Sequence, residues 1–94
     1  MDNDKNFIMK ENIVKNKSFD FALRIVKLYQ FLVNEKKEFT LSKQLLRAGT
    51  SIGANIREAD QAESKADFIH KSSVSLKEAM KVIIGLNYCI KLVI

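Results

Sequence analysis

The stretch LSKQLLRAGTSIGANIREA, residues 41–59, decides the fold. Leu41, Leu45, Ala48, Ile52, Ile56 and Ala59 recur at spacings of four, three, four, four and three. At about 100° per residue they line one stripe of a helix. Lys43, Arg47, Thr50, Ala54, Arg57 and Gln61 follow a second line opposite the first. The helix therefore has a core face and a polar face that carries Lys43, Arg47 and Arg57. Its middle, Ala48 to Asn55, is nearly all small residues and includes Gly49 and Gly53. Two glycines inside a helix cost roughly 1 kcal/mol each relative to alanine. Close approach of another helix, a local kink or a phosphate-cradling loop would each account for them. The third lacks the preceding strand and the following Lys-Ser/Thr of a P-loop.

Upstream, Ser18 is placed to cap a helix, with Asp20 in its first turn. Asp20, Arg24, Lys27, Gln30 and Asn34 share a narrow polar face. Ala22, Ile25, Val26, Leu28, Tyr29, Leu32 and Val33 fill a wide apolar arc opposite it, as in a bundle helix buried on more than one side. The charged run Glu35-Lys36-Lys37-Glu38 breaks the pattern and reads as a turn. Residues 1–17 show no clean period. They read as a partly ordered arm in which Phe7, Ile8, Met9, Ile13 and Val14 could pack as a short strap.

Downstream, Ser64-Lys-Ala-Asp67 resembles a capping box and opens a third helix from Lys65. Ile69, Ser73, Leu76, Met80, Ile83 and Ile90 form one row on it, and Phe68, Ser75, Ala79, Val82 and Leu86 an adjacent one. After Met80 the sequence turns apolar nearly all round. The expected organisation is an N-terminal arm, 1–17, and one helical bundle domain, 18–94, with helices at about 18–35, 40–61 and 64–92.

Composition agrees with this reading. Ninety-four residues fit one domain, and with no proline and three glycines an all-β fold lacks the turn residues it needs. The net charge of +5 is spread along the chain, so it permits an acidic partner without demanding one. The single Cys89 cannot form an internal disulfide, and Asp2, Asn3 and Asp4 do not open a signal peptide. Val82 to Ile94, interrupted by Asn87 and Lys91, is too short to cross a membrane. A cytoplasmic location without membrane attachment is the expectation.

Catalytic chemistry finds no foothold. His70 is the only histidine and has no ligand set around it for a metal. There is no Glu-x-x-His pair for a di-iron bundle. Ser51, Ser73 and His70 have no nucleophile elbow, and Glu58 and Asp60 are two apart on a helix and do not face each other. No catalytic residue, metal or cofactor is expected.

The run 41–59, continued by Ser64-Lys-Ala-Asp-Phe-Ile69 and Ser75-Leu-Lys-Glu-Ala79, resembles the bacterial four-helix-bundle proteins encoded in intervening sequences of 23S ribosomal RNA genes. Ser18 to Val26 is similar to the first helix of that family, and the resemblance covers roughly residues 9–79. Its most specific part holds Ser51, Ile52, Gly53, Asn55, Ile56 and Glu58. The same family includes the accessory variability determinant of diversity-generating retroelements.

The resemblance implies an all-α, up-and-down antiparallel four-helix bundle, assembled as a homopentamer and without known catalysis. It implies nucleic-acid contact through positions that match the family's basic residues, here Lys43, Arg47, Arg57, Lys65 and Lys71. RNA or DNA, further copies of the chain and a reverse transcriptase are the implied partners. For Arg47 and Asn55, hydrogen bonds between helices or subunits are an equal alternative to ligand contact.

The chain departs from the family pattern after Ala79. The family usually reads Asn-Glu-Thr/Ser-x-Tyr-Trp-Leu-Glu-Leu-Leu there and continues into a fourth helix; this chain reads MKVIIGLNYCIKLVI. Codons for residues 79–94 can be written so that one adenine inserted after codon 79 restores the family pattern. The expectation is a frameshifted tail with the fourth helix lost or truncated, an exposed apolar seam, and a chain prone to aggregation or dependent on self-association. Three functional readings follow: an oligomeric, non-enzymatic nucleic-acid binder, a protein-interaction scaffold, and a remnant without function.

Overall fold

In the computed structural model the backbone is described for residues 2–94 and side chains from Asn12 onward. The described residues form three helices and no strand: α1 (Asp2–Asn34), α2 (Leu41–Asp60) and α3 (Lys65–Leu92).

Helix α1 starts well upstream of Ser18. The residues before Ser18 include neither proline nor glycine and are rich in Lys and Asn, so no stop signal separates them from the amphipathic part. Ser18 is therefore an interior residue. It is buried, and its hydroxyl donates to the Lys15 carbonyl at 2.8 Å, as serines do within helices. The expected partly ordered arm is thus helical from Asp2. The strap residues Phe7, Ile8 and Met9 lie outside the described side chains, while Ile13 and Val14 are exposed.

The turn into α2 ends α1 in a left-handed residue, Lys37 (φ 54°), a conformation more often given to glycine. The Glu38 N–H then donates to the Leu32 carbonyl at 2.9 Å. Glu38 also caps α2, a role the sequence reading missed. Its carboxylate accepts the N–H groups of Thr40 (2.8 Å), Leu41 (2.6 Å) and Ser42 (2.8 Å). The fully buried Ser42 hydroxyl returns a bond to the Glu38 carbonyl. Partial burial pushes the Glu38 carboxyl upward, but the backbone donors outweigh it and hold it below the usual carboxylate range. A folded-state value below the unfolded one stabilises the fold above the ordinary carboxylate range, and this is lost as pH falls through the lowered value. Glu38→Ala should therefore lose about 1 kcal/mol at neutral pH, the usual effect of removing a cap. The deficit should shrink in acid, and urea titrations at neutral and strongly acidic pH measure it.

Helix α2 packs against both neighbours, whereas no Cα of α1 comes within 8 Å of a Cα of α3. The core follows from this arrangement. Ile25 and Leu32 of α1 and Val82 and Cys89 of α3 are buried with Leu45 and Ala48 of α2. The tail from residue 80 is part of the fold, since α3 runs on through it to Leu92 and buries Val82 and Cys89. Burial pushes the Cys89 thiol up, with a further push from the Glu38 charge, which keeps it unreactive at neutral pH.

The glycines show which of the three sequence explanations holds. A Cβ on Gly49 would lie 2.7 and 2.8 Å from the Ile25 γ-carbons. One on Gly53 would lie 3.3 Å from the Ser18 hydroxyl, and one on Gly85 would lie 2.8 Å from a Leu45 methyl. All three sit where two helices meet closely. The α2–α3 contact is fixed further by the buried Ser75 hydroxyl, which donates to the Ile52 carbonyl at 2.8 Å.

Candidate nucleic-acid interface

The structure divides the five basic positions of the sequence reading between the two ends of α2. Lys43 and Arg47 are exposed near its N-terminus, and no ion pair to either occurs among the described residues. Arg57 lies near its C-terminus, its guanidinium 5.8 Å from the Phe19 ring centre on α1, a cation–π contact. Lys65 is exposed on the first turn of α3. The Lys71 ammonium lies 4.0 Å from carboxylates of both Glu58 and Asp67, and nearby Lys15 pairs with Asp60. Acidic groups thus offset the cations at that end, while Lys36 and Lys37 of the preceding turn are exposed beside the other.

The N-terminus of α2 does not itself offer donors to an anion. The Glu38 carboxylate already accepts three of its N–H groups. Any phosphate near this end would have to be met by side chains.

Arg47 stands at the edge of a groove of about 700 Å³ between α2 and α3. Leu45, Ala48 and Gly85 give it a small-residue, apolar floor, and Ser51, Asn55 and Tyr88 line it as well. Lys81 on the same groove is held at 3.0 Å by Glu78. The Asn55 amide donates to the Ser51 carbonyl at 2.9 Å, and the Ser51 hydroxyl donates to the Ala48 carbonyl at 3.0 Å. Both polar side chains therefore bond within α2. The specific motif is explained piece by piece: Gly53 admits Ser18, the Ile52 carbonyl receives Ser75, Ile56 is half-buried, and Glu58 faces Lys71.

Tyr88 was not singled out from the sequence. The signal available was an aromatic residue seven positions after Lys81 and one turn beyond Gly85, on the α3 face that meets α2.

A small all-helical protein, with a basic helix end beside an apolar groove, is the class that this fold and surface define. Residues 10–93 match the family described as 23S rRNA-intervening sequence protein, and the chain belongs to that family. Among solved structures it is similar to a protein of unknown function from the S23 ribosomal protein family of Bacteroides thetaiotaomicron. The two are 62% identical with a TM-score of 0.85, over 87% of this chain and 73% of that one. No curated protein matches the chain. None of the described helices is long and apolar enough to cross a membrane.

Proposed function

We propose that the chain is a non-enzymatic, self-associating protein that binds single-stranded nucleic acid at the N-terminal end of α2. The observation that carries this reading is the pairing of Lys43 and Arg47, two cations without ion-pair partners among the described residues, with a groove that also presents Tyr88. Lys43 and Arg47 suit phosphates, and the Tyr88 ring suits a stacked base. Arg57 and Lys71 contribute less, because a ring already attends Arg57 and carboxylates attend Lys71.

The bundle belongs, in this reading, to the four-helix type, with α1, α2 and α3 on three corners and the fourth unfilled by the described residues. The separation of α1 from α3 supports this, since helices on opposite corners of such a bundle do not touch. The related solved chain supports it too, because about a quarter of that chain lies outside the match.

The test is a gel shift with a labelled single-stranded RNA. Lys43→Glu/Arg47→Glu should weaken binding roughly tenfold or more and lower the salt slope by roughly 1.4, the value for two lost phosphate contacts. Lys65→Glu/Lys71→Glu should do much less. Equal loss in both variants, or no binding by the unaltered chain, would sink the assignment.

A further inference from the structure

The groove between α2 and α3 has two unlike halves. Around Leu41, Ile84 and Tyr88 it is apolar or aromatic, and around Ser51, Asn55 and Glu78 it is polar. Glu78, Lys81, Gly85 and Tyr88 follow one another at steps of three, four and three, so one face of α3 makes that wall. The polar half offers chiefly acceptors. The Ser51 hydroxyl spends its hydrogen on the Ala48 carbonyl, and the Asn55 amide nitrogen turns to the Ser51 carbonyl. Glu78 is the odd member, an acid in a groove whose other charged side chains are Arg47 and Lys81. Its side chain is only 21% exposed. Pairing with Lys81 does not require that burial, since such pairs three residues apart form on open helix surfaces. One Glu78 oxygen takes the Lys81 ammonium at 3.0 Å. The other carries no bond among the described residues and is reached by solvent, because no unpartnered side-chain oxygen among them is buried.

We infer that Glu78 selects among bases: its second oxygen accepts the exocyclic amine of cytosine, adenine or guanine and turns uracil and thymine away, a role that rests on the nucleic-acid binding proposed above. A carboxylate only accepts hydrogen bonds. Unstacked bases of a single strand present their edges to side chains, and a Glu or Asp is a suitable acceptor for the cytosine N4 amine. Uracil and thymine carry a carbonyl oxygen in the same place. Set against Glu78, that oxygen would put acceptor against acceptor and leave both without the donor that water had given them, which is how a polar site rejects an analogue of the same shape. The charges at the groove permit this. Lys81 stands beside Glu78, so the acid does not repel a strand as a lone carboxylate would, and Arg47 is left for a phosphate. Glu78 lies ten residues from Tyr88, or about 15 Å along α3. The base that it reads is therefore a different one from the base stacked on Tyr88.

Fluorescence anisotropy with labelled single strands of about twelve nucleotides, a length on the scale of single-strand sites, provides the test. Cytosine and uracil are the decisive pair, because their rings match in size. Oligocytidylate should bind roughly tenfold more tightly than oligouridylate, the discrimination expected of one base contact. A strand of 2-pyrimidinone, the cytosine ring without its amine, should bind as uracil does, and this arm needs no altered protein. Glu78→Gln keeps the shape and can turn its amide to either base, so it should level cytosine and uracil while the salt slope stays the same. Lys81→Ala breaks the same helix pair and should keep the preference, which a merely structural role for Glu78 would not separate. No binding of either strand overturns nucleic-acid binding and this selection with it. Equal binding of the two by the unaltered chain, a 2-pyrimidinone strand that binds as cytosine does, or a preference that survives Glu78→Gln overturns the selection alone and leaves phosphate contact by Lys43 and Arg47 standing.

Discussion

Replacing Gly49 by leucine is expected to abolish the cooperative thermal transition of the chain. A single added carbon there would already lie 2.7 Å from an Ile25 γ-carbon and 3.1 Å from its β-carbon. Ile25 is branched at Cβ and buried, so it has no flexible end to swing away. A leucine would wedge α1 off α2, and no Cα of α3 lies within 8 Å of α1 to hold it in place. Alanine is the graded case. Overpacking costs typically 1–3 kcal/mol, against roughly 1 kcal/mol gained in helix propensity. Gly49→Ala should therefore lower stability by about 1 kcal/mol, which for a domain this size is a drop of roughly 4–8 °C in melting temperature. In an Ile25→Ala background the γ-carbons are gone, so the same substitution should turn stabilising. That change of sign, followed by circular dichroism, separates close helix approach from a kink. If Gly49→Ala destabilises equally in both backgrounds, the contact with Ile25 is not why a glycine stands there.

Leu32→Ala is the second large effect. Leu32 is 0% exposed and shares its core with Leu45, Val82 and Cys89, so it joins all three helices. Truncating such a leucine removes its transfer free energy and leaves a cavity, together about 2–5 kcal/mol. A domain of this length has about 5–14 kcal/mol in total, so the loss takes a large share. Urea unfolding should show a markedly lower midpoint with an unchanged slope. Leu23→Ala, on the same helix but half-exposed, should change the midpoint little. If both midpoints move alike, the core is not where the structure puts it.

Much of the fold was legible because helices announce themselves by period. The stripe from Leu41 to Ala59 is the face that α2 turns inward, and the Ser64 hydroxyl accepts the Asp67 N–H at 3.1 Å where the capping pattern pointed. The misread places share one cause. A serine before an apolar run can cap a helix or sit inside one, and only the continuity of the upstream backbone decides. Glu38 was taken for part of a charged turn, yet an acid three residues before the first helical turn is the group the dipole favours. The small-residue segment could be narrowed to three explanations but not to one, because periodicity records that space is scarce and not what fills it. On α3 the two rows were visible side by side, while burial differs sharply between them: Val82 is closed off and Ile83, the next residue, is 59% exposed. At the basic surface the residue types were readable from the sequence. Their pairing was not, since it depends on which carboxylates the fold carries alongside Lys71 and away from Arg47.

That α2 alone touches both other helices also bears on how the chain reaches its native state. Each tertiary interface joins helices that follow one another in sequence, across connections at 35–40 and 61–64. Closing such short loops takes of order 10–100 ns and little entropy. Relative contact order is correspondingly low, which places the chain among topologies that fold in microseconds to milliseconds. Each helical hairpin joins neighbours in sequence, and the two then meet in one core around Leu45 and Ala48 of the helix they share.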